Sequence, residues 1–286
     1  MSASTDEFRD IINAEMLVDM EKLGFAAQHG IPDEVRGEVW KYLLGVYSAD
    51  KASEMPSIKA KAEEYSRLTK DKSEVINRVR GEASRYVKSR SKYFKSQDYI
   101  LTIENVLTTF LNHHRHIDYS PALVHFCGPL VYSMSAEAEV YYSLEKIVQS
   151  LDDHLAQHSI SERLSNFITL FRTLLPDLYN HFEEEEVDHK TWARSWFENL
   201  LAKELPFECV LRLWDTYFSV PDGFQMHVYV CLAILYQCKE NLEELEQSEI
   251  HSLLLRLPAL DIDQIVSQAN QIKYEVMERC LSDLTS

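Results

Sequence analysis

The residues best suited to metal chemistry in this sequence are two groups of histidines. His113, His114 and His116 lie together near one predicted helix end, and imidazole nitrogens are common ligands of Zn²⁺. No carboxylate or cysteine stands at ligand spacing from them, so a polar cluster at a helix end is the better interpretation. His154 and His158 are four residues apart, but Leu-Ala-Gln between them does not match a zinc-protease motif. The sequence therefore predicts no metal site.

Motifs for nucleotide binding and for nucleophilic catalysis are missing. The sequence has neither GxGxxG nor GxxxxGK[ST], and only 7 of its 286 residues are glycine. A phosphate cradle built from its own backbone is therefore not expected. It also has no GxSxG motif and no evident cysteine–histidine pair. We expect no cofactor bound by this chain itself.

The charge balance restricts the partners. The formal net charge is −17, and a uniform polyanion is repelled by nucleic acids and by anionic lipid surfaces. A partner with a basic rim is easier to accommodate. The alternative interpretation is that the charge only keeps the protein soluble.

The cysteines and the N-terminus predict a cytoplasmic protein. The cysteines are odd in number, scattered and without a CxxC motif, so we expect reduced thiols. They are Cys127, Cys209, Cys231, Cys238 and Cys280. The first residues, MSASTDEFRD, are polar and acidic, which indicates no signal peptide. The longest apolar run, 228–236, is shorter than the ~20 residues of a membrane-spanning helix, so membrane association is expected only through a partner.

Hydrophobic spacing predicts an all-α fold. Apolar residues recur at helical intervals in several segments. These residues are Ile103, Val106, Leu107, Phe110 and Leu111, then Ile250, Leu253, Leu254 and Leu257, then Ile262, Ile265, Val266, Ala269 and Ile272. Segment 228–235 is rich enough in β-branched residues to resemble a strand, but it lacks hairpin signals and extends to Cys238, so we predict a buried helix. No convincing strand pair occurs.

Three polar segments separate the apolar ones. The lysine-rich residues 51–71 are expected to form an exposed helix followed by a loop. Four consecutive glutamates at 183–186, after a helix that ends near Phe182, predict a solvated loop. The polar stretch 150–162 lies between two apolar helices, which places a lobe boundary near residues 150–165.

A motif near the N-terminus has recognisable spacing. Residues 30–45 read GIPDEVRGEVWKYLLG. Pro32 and Asp33 favour the start of a helix, and Gly45 favours its end. One face of this helix is expected to be buried, with Arg36 beside it. That face consists of Val35, Val39, Trp40 and Leu43.

A second motif lies between residues 174 and 218. It opens with LLPDLY and continues with a Trp-Phe pair at 196–197, a Glu-Leu-Pro break at 204–206 and Arg-Leu-Trp-Asp at 212–215. In this order, and together with the N-terminal motif, these features resemble the TBC domain, a helical module that activates GTP hydrolysis by Rab-family GTPases. The resemblance covers roughly residues 25–275.

The resemblance implies a multi-helix, two-lobed TBC (Rab-GAP) fold. Residues 1–24 would form an N-terminal extension, 25–155 and 156–275 the two lobes of the domain at 25–275, and 276–286 a C-terminal tail. Five motif residues are interpreted as structural, with an Arg–Asp pair beside a buried tryptophan. They are Arg36, Trp40, Arg212, Trp214 and Asp215.

The resemblance also implies a catalytic arginine. The family motif I-x-x-D-x-x-R supplies an arginine that enters the GTPase site and neutralises charge on the transferred phosphoryl group. Residues 79–85 read VRGEASR, which makes Arg85 the candidate finger and Glu82 the acid that orients it. Other arginines lie in the same run, so the alternative is that Arg85 is a surface or structural residue. These are Arg78, Arg80 and Arg90.

The second catalytic motif of the family is degenerate here. Its form is Y-x-Q-G, and its glutamine orients the attacking water. Residues 119–122 read YSPA, so Tyr119 is retained, Pro121 replaces the glutamine and Ala122 replaces the glycine. Proline has no side-chain donor or acceptor and no backbone N–H, so it cannot position water.

Two hypotheses follow. The first is a GTPase-activating protein for a small Rab-family GTPase that acts through an arginine finger in trans and lacks the glutamine finger. The second is a catalytically degenerate TBC module that binds a GTPase or another subunit as a scaffold. In both cases GTP and Mg²⁺ would be carried by the partner. The protein would be cytoplasmic and would reach endomembranes through that partner.

Overall fold

The computed structural model describes residues 3–69 and 75–285, with side chains described up to residue 279. Residues 70 and 71 of the predicted loop, the side chain of Cys280 and residue 286 of the predicted tail lie outside this part. The helices are α1 (Thr5–Ile12), α2 (Met20–Ala27), α3 (Asp33–Leu43), α4 (Lys51–Arg67), α5 (Val75–Ser89), α6 (Asp98–His113), α7 (Ala122–Ser133), α8 (Glu137–Gln157), α9 (Ile160–Leu174), α10 (Pro176–Glu184), α11 (His189–Glu198), α12 (Phe207–Ser219), α13 (His227–Leu242), α14 (Gln247–Leu255) and α15 (Ile262–Thr285), with a 3₁₀-helix at Gly223–Met226.

The prediction of an all-α fold is confirmed. Among the described residues the only β-type pairing is an isolated bridge between Leu17 and Asp50. Segment 228–235, the most strand-like in sequence, lies within α13. Within the same part of the chain, no helix has both the length and the apolar character needed to cross a bilayer.

The chain divides into two compact units. The first comprises Met1–Asp152 with Phe218–Val220, and the second comprises Asp153–Tyr217 with Pro221–Ser286. The division lies inside α8, because the polar residues 150–157 continue that helix. The lobe boundary expected from the sequence, between 155 and 156, stays a prediction.

Helix α3 shows how the first motif folds. Gly45 has a φ of 70°, and the amides of Gly45 and Val46 donate to the carbonyls of Tyr42 and Lys41. This pair of bonds is a Schellman motif, which favours glycine at the residue after the helix cap. Leu43, expected to be buried, is only half-buried. Tyr42 is buried instead, because its hydroxyl contacts Lys51 and Glu54 of α4.

Close helix packing in the first unit depends on Gly37. A Cβ atom at this position would lie 1.9 Å from the carbonyl oxygen of Ser133 at the end of α7. Any larger residue would therefore force α3 and α7 apart. Trp40, one turn further on, is fully buried, and its ring meets Phe218 edge-on at 5.1 Å.

The core of the second unit is built around tryptophans of α11 and α12. Trp192, Trp196 and Trp214 are all fully buried. The indole Nε1 of Trp196 donates to the carbonyl of Leu254 at 2.7 Å, which ties α11 to α14. Helix α10 ends at Glu184, so the predicted acidic loop 183–186 begins on the last turn of a helix.

Two buried titratable side chains are bonded to neighbouring residues of α11. Ser195 donates from its hydroxyl to Glu204 at 2.6 Å, and burial raises the pKa of Glu204 to about 7. His227 donates from Nε2 to the carbonyl of Trp196 at 3.0 Å and accepts from the hydroxyl of Tyr217 at Nδ1. Burial lowers the pKa of His227 to about 3, so this imidazole is neutral.

Candidate functional site

Helix α5 is fixed against its neighbours on two sides. Tyr86 is buried, and its ring lies so close to Gly128 of α7 that a Cβ there would be 2.2 Å from it. On another side, Arg80 donates from Nε and Nη2 to the buried carboxylate of Glu104 on α6, at 2.6 and 2.8 Å. A bidentate pair of this kind fixes orientation as well as distance. The helix that carries Arg85 is therefore held between α6 and α7.

Arg85 is an exposed cation attached to a partly buried carboxylate. Its side chain is 72% exposed, whereas that of Glu82 is 18% exposed. The guanidinium Nη2 donates to Oε2 of Glu82 at 2.5 Å. Because Glu82 lies one turn earlier on the same helix, the pair restricts the arginine without enclosing it. The charge of Arg85 stays accessible to a partner.

Tyr119 packs against α5 at Arg78, one turn before Glu82. The guanidinium of Arg78 stacks over its ring at 4.8 Å, and its hydroxyl donates to the carbonyl of Arg78 at 3.4 Å. Burial raises the pKa of Tyr119, and the Glu82 carboxylate raises it further, while Arg78 and Arg85 act in the opposite direction. The structure thus brings Tyr119 close to Glu82 and Arg85, although more than thirty residues separate Tyr119 from them in the sequence.

Pro121 occupies the entry to α7. It is exposed, and it is the N-cap of α7, with no side-chain cap hydrogen bond. Ala122 follows as the first helical residue and is buried. At this position of the degenerate motif the chain therefore presents an apolar ring with no group that could hold a water molecule.

His125 is a member of this site that the sequence did not single out. It is buried on the first turns of α7, and its Nε2 lies 3.6 Å from Oε1 of Glu82. Its ring also meets Tyr86 edge-on at 5.5 Å. Glu82 thus has Arg85 at one oxygen and His125 at the other. The available signal was its place four residues after Pro121, one helical turn into α7.

The other arginines of the run have separate roles. Arg80 is bound to Glu104 as described, and hydrogen bonding to that carboxylate raises the pKa of Arg80. Arg90 lies over the ring of Tyr86, at 4.1 Å from its centroid. Arg78 stacks on Tyr119. These contacts favour Arg85 as the arginine available to a partner.

The motif residues interpreted as structural lie away from solvent or in ion pairs. Arg36 is 7% exposed and contacts Asp33 and the carbonyl of Ile31. In the second unit, Trp214 and Asp215 are fully buried. Arg212 donates to Asp263 of α15, from Nη2 at 2.5 Å, and to the hydroxyl of Thr216. The pairing of Arg212 with Asp215 stays a prediction, and Asp263 is a partner that the sequence did not indicate.

The histidine clusters are placed as follows. His113 and His114 are at the end of α6, and His114 lies 3.0 Å from a carboxylate oxygen of Glu145. His116 stands in the segment before Tyr119. In the described part of the chain, no group of three or more His, Cys, Asp or Glu side chains has a metal-binding arrangement. Four cysteines are free and buried: Cys127, Cys209, Cys231 and Cys238.

Comparison with known proteins identifies relatives of this chain. The profile of the RabGAP-TBC family, described as the Rab-GTPase-TBC domain, matches residues 33–243. Human TBC1 domain family member 22B is 26% identical over 310 residues, which cover 94% of this chain and 61% of the relative. The GTPase-activating protein gyp1 of Schizosaccharomyces pombe is 26% identical over 89% of this chain and 57% of the relative. The chain thus spans about three-fifths of the length of these relatives.

A solved structure shares the fold. The crystal structure of the Ypt/Rab-GAP domain of Gyp1p superposes with a TM-score of 0.77 at 21% sequence identity. The alignment covers 92% of this chain and 95% of that domain. At this level of identity the likeness concerns the fold, and the roles of individual residues must be argued from the geometry around Arg85.

Proposed function

Because this chain belongs to the Rab-GTPase-TBC domain family, we propose that it activates GTP hydrolysis by a small Rab-family GTPase through Arg85. The observation that carries the proposal is the exposed guanidinium of Arg85 bonded to Glu82, on a helix fixed between α6 and α7. A preset, accessible cation of this kind is what a finger supplied in trans requires.

Arg85 would stabilise the charge that develops on the transferred phosphoryl group. Arginine fingers contribute about 10³–10⁵ in rate, which corresponds to about 4–7 kcal/mol of the activation barrier. Glu82 keeps the guanidinium in one region of space, so less side-chain freedom is lost on docking. GTP and Mg²⁺ belong to the GTPase, and this chain contributes only side chains to their site.

The water-positioning task would remain with the GTPase. Pro121 has no group that could orient the attacking water, and its place at the entry of α7 is exposed. The glutamine of the GTPase would therefore stay in place and orient the water itself. The chain would supply one of the two catalytic groups that the family resemblance implies.

Scaffolding is the second candidate function. It is favoured by the same Pro121, because a module without the glutamine finger can bind a GTPase or another subunit without accelerating hydrolysis. In either case the protein would be cytoplasmic and would reach endomembranes through its partner. The two candidate functions differ in whether the chain accelerates GTP hydrolysis, and not in whether it binds a partner.

Single-turnover GTP hydrolysis across a panel of Rab proteins distinguishes the candidates. Each Rab is measured with and without this chain, and binding is measured in parallel. Stimulated hydrolysis by at least one Rab supports the activator, and stimulation should disappear when that Rab lacks its own glutamine. Binding without stimulation supports the scaffold, and neither binding nor stimulation with any Rab contradicts both the activator and a scaffold that binds Rab proteins.

A further inference from the structure

A cavity of about 480 Å³ opens in the second unit, and none of its lining residues takes part in the site around Arg85. Its wall is formed by the end of α8, the start of α9, α11 and the region where the 3₁₀-helix leads into α13. The side chains that could carry positive charge there are His154, His158 and Arg163. Such a concentration is unexpected in a chain whose formal net charge is −17.

Arg163 is a partly buried cation without a matching anion. Its guanidinium lies over the ring of the buried Phe197, at 5.3 Å from the centroid, and burial lowers the pKa of Arg163. In the described part of the chain, no carboxylate is within ion-pair distance of it. The groups that would favour its charge are Cys231 and Tyr217. Burial raises the pKa of the Tyr217 hydroxyl and of the Cys231 thiol well above their ordinary values. Neither group is therefore an anion near neutral pH.

The acidic residue that lines the cavity is already engaged. Glu162 caps α9, where its Oε2 accepts from the backbone amide of Ser159 at 2.8 Å and from its hydroxyl at 3.0 Å. These bonds lower the pKa of Glu162. The Oε2 atom of Glu162 is thus directed at the helix cap, and Glu162 forms no ion pair with Arg163. The uncompensated charge is an unfavourable arrangement that an incoming anion would relieve.

His154 makes the cavity sensitive to pH. Burial lowers the pKa of His154, and Arg163 and His158 lower it further, while Asp222 acts in the opposite direction. His227, which also interacts electrostatically with His154, is neutral because burial lowers its pKa to about 3. A bound anion would favour the protonated form of His154, so binding would take up a proton.

We propose that this cavity binds a phosphomonoester, with Arg163 as the fixed cation and His154 and His158 as additional donors. A phosphoryl group has three acceptor oxygens, which suit donors converging from several elements. Three amide side chains, those of Gln157, Asn166 and Gln225, also line the cavity and can donate to the rest of the ligand. The phosphomonoester can belong to a soluble metabolite or to a lipid headgroup, because the recognition chemistry is the same.

Glycerol 3-phosphate and phosphatidic acid test the two sources. Calorimetric titration with glycerol 3-phosphate is compared with co-sedimentation on phosphatidylcholine vesicles, with and without phosphatidic acid. Saturable binding of either probe is expected, and protonation of His154 should strengthen it as the pH falls below the ordinary histidine pKa of 6.5. Sulfate that binds as tightly as glycerol 3-phosphate would contradict recognition of a phosphomonoester, and so would a lack of saturable binding of both probes at millimolar concentration.

Matched variants locate the binding in the cavity. Arg163→Gln should weaken binding by about tenfold or more, since a charge-assisted bond is lost. Arg172→Gln changes an exposed arginine on the same helix α9 and should leave binding unchanged. Equal binding by Arg163→Gln and the wild type, or equal losses in both variants, would overturn the proposal.

A histidine double variant keeps the test decisive if Arg163→Gln does not fold. His154→Gln with His158→Gln, checked by circular dichroism, should retain weaker binding whose pH dependence is only that of the ligand's own second ionisation. Undiminished pH dependence in the double variant would contradict the proposed role of the histidines and, with it, the site.

Discussion

The segment around Arg85 and the segment 119–122 are neighbours in the proposed site, but they differ in which motif residues they keep. In α5, Arg85, the side chain proposed to do chemistry, is bonded to Glu82. At 119–122, Tyr119 packs against α5, but Pro121 stands where the family resemblance implies a glutamine. The proposed function therefore implies that a helix-borne cation and a water-positioning loop are separable, so that one can be lost while the helices that support both remain.

The difference has a physical origin in how the two groups are supported. Arg85 depends on one ion pair and on the packing of Tyr86 against Gly128. A water-positioning glutamine depends on a particular side chain and on a backbone that glycine makes permissive. Pro121 and Ala122 would remove that chemistry without disturbing α7, because proline suits a helix entry.

Removal of the arginine should have the largest effect. We expect Arg85→Ala to lower the stimulated single-turnover rate by about 10³-fold or more. The melting temperature should hardly change, because the side chain is 72% exposed. Lys88→Ala, an exposed change on the same helix, is the matched control. Stimulation that survives Arg85→Ala would place the finger elsewhere.

With a glutamine at position 121, both segments should supply a catalytic side chain. Pro121→Gln with Ala122→Gly should increase hydrolysis by a GTPase that lacks its own glutamine, by about tenfold to a hundredfold. The control is Pro121→Ala with Ala122→Gly, which changes the backbone in the same way without supplying an amide. No gain over this control would show that side-chain chemistry alone does not explain the loss.

The packing that supports α5 can be tested by a pair of glycine variants. Gly128→Ala should lower the free energy of unfolding by about 1–3 kcal/mol, since the new Cβ would lie 2.2 Å from the Tyr86 ring. Gly81→Ala meets nothing closer than 3.8 Å and should be neutral or stabilising by up to about 1 kcal/mol. Urea denaturation measures both. Equal stabilities would mean that the Tyr86 contact does not position α5.

The smallest effect is expected at the orienting carboxylate. Glu82→Gln should reduce stimulated hydrolysis by about tenfold or less, because the amide can still accept one bond from Arg85 but no longer attracts it electrostatically. Glu82→Asp keeps the charge and restores the residue type of the family motif, so it should lose less. A larger loss in Glu82→Asp than in Glu82→Gln would show that reach, and not charge, holds the arginine.

The sequence predicted local structure better than long-range contacts. Apolar spacing identified the helical fold, and Gly45 marked the end of α3, because both signals act within a few residues. Three features join residues from different helices. They are the bond between Arg80 and Glu104, the position of His125 against Glu82, and the cavity around Arg163. Hydrophobic periodicity indicates which face of a helix is buried, but it does not indicate which residues of another helix that face contacts. These contacts are therefore seen only in the structure.

The burial of Glu204 and His227, which are bonded to neighbouring residues of α11, has a consequence for how folding responds to protons. Burial raises the pKa of Glu204 from 4.5 to about 7, so its contribution to stability is present below pH 4.5 and is lost as the pH rises toward 7. Burial lowers the pKa of His227 from 6.5 to about 3, so its contribution is present above pH 6.5 and is lost as the pH falls toward 3. Each group changes the free energy of unfolding by about 1.4 kcal/mol per pH unit. Between pH 4.5 and 6.5 the two changes have opposite signs. Over that interval the pair exchanges no net protons with solvent on folding, and replacing either residue by a non-titrating one would expose the slope of the other.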